Sequence, residues 1–305
     1  MSVILITGGT GLIGTALTKV LLNKGYDVII LTRSAEKSSS TPRLSYAKWD
    51  IEKQTIDAGV ITKADHIVHL AGAGVAAKRW TTKRKREIAD SRTKSSALLV
   101  KALKENANNV KTIISSSAIG WYGPDANHSK SFIETDPAAE DFLGKICREW
   151  EASIDPVSFL GKRLVKLRTG IVFSNEGGAL KEFKKPLRFG LATILGNGKQ
   201  VVSWIHIEDL VHIYIYAIEN NQLNGVYNAV APYPVTNKNL VLQLAKCTRG
   251  KFFVPVYVPS FILKTVLGEM SIEVLKSAAV SCGKIKKEGY TFLYPSFQAV
   301  CKKML

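Results

Sequence analysis
Short β-branched runs alternate with longer stretches of helical composition through the first half of the chain. Val3–Thr7 predicts a strand, Gly14–Lys24 a helix and Asp27–Thr32 a second strand. His66–Ala71 and Thr112–Ser116 are further apolar runs, and Thr82–Glu105 between them has the length and composition of a helix. Another strand is expected at Leu164–Phe173. Strand, helix and strand in this order predict βαβ units, hence an α/β fold around a parallel sheet. The second half changes character. Residues 175–200 are rich in Gly, Lys and Leu, and Pro232, Pro234, Pro255, Pro259 and Pro295 punctuate the chain after Asn224. The expected division is a main domain of residues 1–174 plus 200–230, and a smaller C-terminal α/β lobe of 175–199 plus 231–305.

Composition narrows the class. The chain has 305 residues, 46% hydrophobic and 22% charged, which is ordinary globular usage and argues against disorder, a collagen-like repeat or a coiled coil. No apolar run reaches the length of about 18 residues that a membrane span needs, so no membrane is expected. Met1–Leu5 runs straight into a glycine turn and reads as a strand rather than a leader. Cys147, Cys247, Cys282 and Cys301 stand far apart without a CxxC pair, so neither a disulfide framework nor a zinc site is expected. A reducing, cytoplasmic setting follows as the default. No HxH, HExxH or carboxylate cluster is present, and no metal is expected.

The net charge of +17 is concentrated. Residues 78–94 hold eight Lys and Arg against two acids, and residues 236–305 hold eleven against three. Two solvated basic faces account for this most simply; attraction of an anionic substrate or a cofactor phosphate is the alternative. Nucleic acid ranks third, because aromatics are not interleaved with the basic runs.

The strongest local signal is Thr7-Gly8-Gly9-Thr10-Gly11-Leu12-Ile13-Gly14. Gly9, Gly11 and Gly14 satisfy GxGxxG between a strand and a helix, the context that motif requires. Glycines there let the backbone approach a pyrophosphate, and the helix N-terminus offers free N–H groups. A site for NAD places Asp or Glu at the end of the second strand to bind the ribose hydroxyl. Here Arg33 and Ser34 stand there, with Glu36 and Lys37 nearby. A guanidinium fork and a hydroxyl suit a 2′-phosphate, so NADP(H) is the expected cofactor.

These motifs, with the later stretches Ser115–Gly123 and Trp204–Leu210, resemble the extended short-chain dehydrogenase/reductases. The closest likeness is to an atypical branch, the epimerase-family proteins labelled nucleoside-diphosphate-sugar epimerase or cell-division-inhibitor-like. Further matching stretches are Leu70–Gly74, Lys78–Trp80, Asp90–Arg92, Asp141–Leu143 to Trp150-Glu151, Arg168–Gly170, Gly177–Leu180 and Gly289–Pro295. They run collinearly over nearly the whole chain. The resemblance implies a Rossmann-like, doubly wound sheet with the cofactor across its C-terminal edge and a smaller lobe closing a substrate cleft. It implies that Asp50 ends the third strand and meets the adenine, that Leu70, Ala71 and Gly72 line the cofactor, and that Ser115 lies near the nicotinamide ribose.

The family's proton relay is Tyr-x-x-x-Lys with a serine, in which cationic Lys favours the phenolate. No Tyr lies between Tyr122 and Tyr214. Anchoring on Glu151 puts Leu143 where Tyr belongs and Cys147 where Lys belongs; a shift by one gives Phe142 and Ile146. The standard relay is absent. Ser117 matches the family's serine and can bind an oxygen, though a serine ending a strand is as often structural. Tyr122 is the other catalytic candidate, if Lys78 or Arg79 supplies a cation; packing is the simpler role for an aromatic in such a turn. Cys147, on a helix beside Trp150, is expected to be a packed small residue.

On the substrate side, Arg79, Trp80, Arg92, Trp121, Arg168 and Trp204 are candidate cleft residues, since guanidinium and flat rings suit an anionic or sugar-like ligand. Each has a plain alternative in packing or ion pairing. His206, between two isoleucines, is either a satisfied structural histidine or an acid/base, and Asp209 is expected to cap a helix over Leu210–Ile218. The expectation is an NADP(H)-dependent oxidoreductase or epimerase-like protein acting on a small molecule; the alternative is a non-catalytic redox sensor. Self-association is left open.

Overall fold
Residues 2–34, 39–125 and 131–304 are described by the computed structural model. Glu36 and Lys37, noted above beside Arg33, lie outside the described residues.

The chain begins with β1 (Val3–Thr7), α1 (Leu12–Asn23), β2 (Asp27–Thr32), β3 (Leu44–Asp50), β4 (Thr55–Ile56), α2 (Ala58–Lys63) and β5 (His66–His69). It continues through α3 (Thr82–Glu105), β6 (Thr112–Ala118), α4 (Phe142–Ile154) and β7 (Arg163–Thr169). These strands, with β13 (Gly225–Ala229), build one eight-stranded sheet in the order β13-β7-β6-β5-β1-β2-β3-β4. Every pairing is parallel except that of β4 with β3. Alternate side chains leave the strands on opposite faces. Ile4, Ile6, Val28, Ile30, Val68 and Ile114 enter one core with Leu17 and Leu21 of α1. Leu5, Ile29, Leu31, Ile67 and Ile113 enter the other with Leu98, Leu99 and Leu103 of α3. Burial on both faces explains why these strands read as continuous apolar runs rather than alternating ones.

The strand order reverses at β1, which has β2 on one side and β5 on the other. In a doubly wound sheet that reversal opens a crevice outside the carboxyl ends of the strands. The glycine turn therefore leaves β1 at the switch point.

The remaining elements are β8 (Ile171–Ser174), β9 (Gly177–Gly178), α5 (Ala179–Leu187), β10 (Leu191–Leu195), β11 (Val201–Val202), β12 (Trp204–His206) and α6 (Ile207–Glu219). After β13 come β14 (Val235–Thr236), α7 (Asn237–Arg249), β15 (Val254–Val258), α8 (Ser260–Leu267), α9 (Ser271–Leu275), α10 (Gly283–Lys287) and α11 (Phe297–Met304). A third core gathers Phe173, Leu180, Leu187, Ile194, Trp204, Leu240, Leu244, Phe297 and Val300.

Some boundaries differ from the sequence expectation. The strand expected over Leu164–Phe173 divides at Gly170, where a Cβ would stand 2.8 Å from Val230 and 3.0 Å from the Ser203 carbonyl oxygen. Beyond that close approach the chain leaves the main sheet, and β8 pairs with β12 and β9. The apolar run at His66 ends as a strand at His69, so Leu70 and Ala71 belong to the loop of the crevice.

Candidate active site
Two glycines shape the turn after β1. Gly8 has φ +68°, and a Cβ there would stand 2.8 Å from the Leu70 backbone. At Gly14 a Cβ would meet the Gly8 carbonyl oxygen at 2.5 Å, so only glycine lets α1 press against the turn. Gly11 is different. It is exposed at the N-cap of α1, and its Cβ would meet only the Gly8 oxygen, at 3.3 Å. The helix has no side-chain cap and no acid in its first turn, so its leading N–H groups stay available to an anion. Thr10 is exposed beside them, Gly9 is buried against Ile30, and Ile13 packs toward the first core. Leu12 reaches across to Gly177 and Gly178 of β9.

Thr7 does not face this cradle with its hydroxyl. Its Oγ1 accepts the Leu70 and Ala71 N–H groups at 3.1 Å each, leaving its proton for His69 Nδ1 at 2.7 Å. His69 then carries its proton on Nε2, directed at Ser96 Oγ 3.1 Å away. Burial, with the nearby Arg92 charge adding to it, pushes His69 down to about 3, so the ring is neutral. The loop beyond is tied as firmly. Arg92 donates to the Ala73 carbonyl, Arg84 to the Gly74 carbonyl and the Ala73 N–H to Ser91 Oγ. Arg92 is buried under the Trp150 ring and packs on Gly72, so it braces the crevice wall.

Arg33 and Ser34 are exposed where β2 ends. Asp50 ends β3, as the resemblance implies, but its carboxylate accepts the Glu52 and Lys53 N–H groups at 3.0 Å each. Those backbone bonds, Lys53 first, hold the carboxyl below its usual range.

The end of β6 carries a buried polar network. Ser115 Oγ donates to the Ser116 carbonyl, Ser116 Oγ shares a proton with Tyr214, and Ser117 Oγ donates to Glu151 Oε1 at 2.7 Å. Glu151 is also gripped by Arg168, through Nε at 2.8 Å and Nη2 at 3.1 Å. The guanidinium lies 3.6 Å over the Trp121 ring and donates to the Tyr122 hydroxyl at 3.1 Å. Tyr122 in turn donates to Asn228 Oδ1 at 2.7 Å and stacks on Phe132. Tyr122 is fully buried, and that burial pushes its phenol up to about 12 against the lowering effect of Arg168. Ser117 and Tyr122, the catalytic candidates, thus meet in one network through Glu151 and Arg168. Neither hydroxyl is free to trade protons with solvent.

The relay positions are filled by inert groups. Leu143 lies against Gly120, and Cys147 Sγ lies 3.6 Å from the Ala118 carbonyl oxygen. Burial raises the thiol to about 12, so it is not a thiolate. Lys145 points outward and pairs with Glu140.

Several expected cleft residues sit elsewhere. Trp204 is fully buried, stacked on Phe173, with its N–H on the Tyr233 carbonyl; it is a core residue and not a cleft residue. Arg168 is committed to Glu151 and is 2% exposed, which removes it from ligand binding. Trp121 donates to the Asp136 carbonyl beneath that guanidinium. Trp80 donates to the Val75 carbonyl and packs edge-on against Phe142. Arg79 is exposed and lies against Gly268. The helix expected over Leu210–Ile218 starts earlier, and its cap is His206, whose Nδ1 accepts the Glu208 N–H. Burial pushes His206 down to about 4. Asp209 is no cap: buried within α6, it accepts the Leu293 and Tyr294 N–H groups and the Tyr290 hydroxyl, pinning the C-terminal segment. Among the described residues no group of three or more His, Cys, Asp or Glu could hold a metal, and no helix is long and apolar enough to cross a membrane.

Sequence reasoning missed His69 and Asn228. A histidine closing an otherwise apolar strand was the available signal for the first; for the second there was none before β13 was placed beside β7.

A glycine turn at the switch point of a parallel sheet, with a serine-rich strand end beside it, defines a Rossmann-type protein of the extended short-chain dehydrogenase/reductase class. The NAD dependent epimerase/dehydratase family matches residues 4–150, and a domain of unknown function, DUF1731, matches residues 258–304. Epimerase family protein SH2119 of Staphylococcus haemolyticus is 34% identical over 306 residues, covering 100% of this chain and 99% of that protein. The chain belongs to this epimerase family. The structure of human epimerase family protein SDR39U1 (isoform 2) with NADPH is similar at TM-score 0.85 and 29% identity, over 99% of this chain and 98% of that one. UDP-N-acetylglucosamine 4-epimerase from Bacillus cereus, at TM-score 0.76 and 20% identity over 99% and 95% of the two chains, shares the fold.

Proposed function
We propose that this chain binds NADP(H) across the Gly8–Gly14 turn and acts as an oxidoreductase or epimerase-like enzyme on a small anionic or sugar-nucleotide substrate. The observation that carries the reading is the open space over Gly11 at an uncapped helix N-terminus, with Arg33 and Ser34 exposed at the neighbouring strand end. A Cβ at Gly11 would fill that space, so the cradle fits a pyrophosphate. Human SDR39U1, crystallised with NADPH, supports the choice of cofactor. When bound, the nicotinamide supplies hydride transfer.

The chain's own residues bind and orient. The leading N–H groups of α1 receive the pyrophosphate, and Arg33 and Ser34 receive the 2′-phosphate. Leu70, Ala71 and Gly72 form the wall that Thr7, Arg84 and Arg92 hold in place, while Asp50 and Ser115 border the adenine and ribose ends. Ser117 and Tyr122 hold the floor of the crevice. Residues 175–199 and 231–305 are the substrate-side lobe; at its junction with α3 Lys85 pairs with Glu269, and the exposed Lys78 and Arg79 supply the positive sign that suits an anionic substrate.

A second reading has its own observation. Leu143 and Cys147 at the relay positions favour a protein that binds NADP(H) without turnover and reports redox state. Calorimetric titration with NADPH and then NADH tests both. Micromolar NADPH binding with much weaker NADH binding supports the site, and binding of neither overturns it. NADPH oxidation with carbonyl or nucleotide-sugar compounds then favours the enzyme; tight binding without oxidation across the panel favours the sensor.

A further inference from the structure
Helices α7 and α11 pack side by side in the third core, and each carries a cysteine toward the other. Cys247 lies on the last turn of α7, half-buried, and Cys301 lies within α11, buried. The Cys301 Sγ stands 3.9 Å from the Gln243 carbonyl oxygen. That carbonyl is one helical turn before Cys247, so Cys301 sits over the turn that Cys247 ends. Cys247 packs into the same third core and lies near enough to act on that sulfur, as does the Lys184 ammonium of α5, held by Asn175 at 2.7 Å. Cys147 and Cys282 belong to other places, one against β6 and one before α10.

We propose that Cys247 and Cys301 form a dithiol redox site, which a hydroperoxide converts to an intramolecular disulfide between α7 and α11. Cys247, the more accessible thiol, reacts first as its thiolate. Its sulfur attacks a peroxide oxygen, the O–O bond breaks, and the departing oxygen takes up a proton and leaves as water or alcohol. Cys247 is left as a sulfenic acid. The Cys301 sulfur then attacks the sulfenic sulfur; the S–O bond breaks, the S–S bond forms, and the oxygen leaves as water with the Cys301 proton. Two thiols and one hydroperoxide thus give one disulfide, one water and one further water or alcohol. Burial, and contact with Cys247, push Cys301 up to about 12, which suits the second role and not the first. Lys184 faces that sulfur and favours its thiolate as it attacks.

The linkage would act on the site. The far end of α11 reaches the start of α6, where Lys303 pairs with Glu208. Glu208 also accepts the Tyr294 hydroxyl, and Tyr294 packs on His206. A disulfide at Cys301 therefore fixes the segment that covers His206.

The test treats the full chain with a small excess of hydrogen peroxide, alkylates the remaining thiols after denaturation, and maps the peptides by mass spectrometry. The expected result is loss of two alkylatable thiols per chain, a Cys247–Cys301 crosslinked peptide lighter by two hydrogens, and full reversal by dithiothreitol. The thermal midpoint should rise on oxidation of the native protein and not in Cys247→Ser. Cys301→Ser should stop Cys247 at the sulfenic acid, trapped by dimedone. Retention of all four thiols, over-oxidation of Cys247 without a crosslink, or crosslinks only between chains would overturn the proposal. Cys247→Ser, at a half-buried position, keeps the test valid if Cys301→Ser fails to fold.

Discussion
The Glu151 carboxylate accepts both arms of the Arg168 fork, at 2.8 and 3.1 Å, with the two side chains buried. Removing one partner of such a pair leaves an uncompensated charge and costs about 3–5 kcal/mol. Glu151→Gln should therefore lower the free energy of unfolding by about 3 kcal/mol. Glu151→Gln with Arg168→Met should cost less than the two singles summed, because the second change removes the stranded charge. Urea denaturation of the four proteins checks this. Additive losses would mean the pair does not hold the β6 end.

The glycines of the turn separate fold from binding. Gly14→Val should destabilise the protein severely, since its Cβ would lie 2.5 Å from the Gly8 oxygen. Gly11→Val meets only one backbone atom, at 3.3 Å, and projects over the helix N-terminus. It should fold and lose dinucleotide binding. Circular dichroism and calorimetry on both variants read the two effects apart, and unchanged NADPH affinity in Gly11→Val would remove the turn from the binding site.

Arg33 should set the choice between cofactors. It is exposed at the end of β2, where a 2′-phosphate would lie in the proposed site. Arg33→Asp should lower NADPH affinity by about a hundredfold, the loss of a charge-assisted bidentate contact worth about 3 kcal/mol. NADH affinity should hold or improve. Equal losses for the two would sink the assignment.

The sheet was legible because its strands are buried on both faces: VILIT and DVIILT permit little else. The turn was legible because strand, glycines and helix follow each other in sequence. What stayed hidden depends on pairs far apart in the chain. Nothing local distinguishes an arginine that binds substrate from Arg168, whose partner is Glu151 on a helix across the fold. Trp204 reads as a cleft aromatic until Phe173 and Phe297 are seen packed around it. Asp209 has the spacing of a helix cap, and only the returning segment at Leu293 and Tyr294 gives it other work. The missing relay was legible, because an absent tyrosine needs no tertiary contact to be noticed.

Stability should fall as the medium is made acid, through His206. The ring titrates at about 4 in the folded chain against an ordinary 6.5, because burial disfavours its charged form. Between those two values the unfolded chain binds a proton that the folded chain does not. Stability is thus fully present above pH 6.5 and is lost as the pH falls toward 4, by about 2 kcal/mol at pH 5 from this group. His69, held down to about 3, adds a loss of the same sign. His206→Asn keeps a side-chain cap for α6 and removes the titration. The drop in urea midpoint between pH 7.5 and 5 should be smaller in His206→Asn than in the native chain; an equal drop would assign it to other groups.

Tyr122 decides whether the buried network is catalytic. As a proton donor it would need a phenol near neutrality and access to the substrate. It is instead fully buried, pushed up to about 12, and held between Arg168 and Asn228. Tyr122→Phe keeps the stacking on Phe132 and deletes only the hydroxyl, leaving Arg168 and Asn228 each one partner short. The expected cost is about 1–3 kcal/mol of stability, the penalty of stranding buried polar atoms. NADPH affinity should be unchanged, and any NADPH-dependent turnover should stay within about threefold of the native rate, since less than about 1 kcal/mol of barrier is at stake. Steady-state rates measured well below the thermal midpoint of the variant keep stability out of the comparison. A fall in kcat of a hundredfold or more with cofactor affinity intact would place the hydroxyl in the chemistry, and the Arg168 cation beside it would then be the group that activates it.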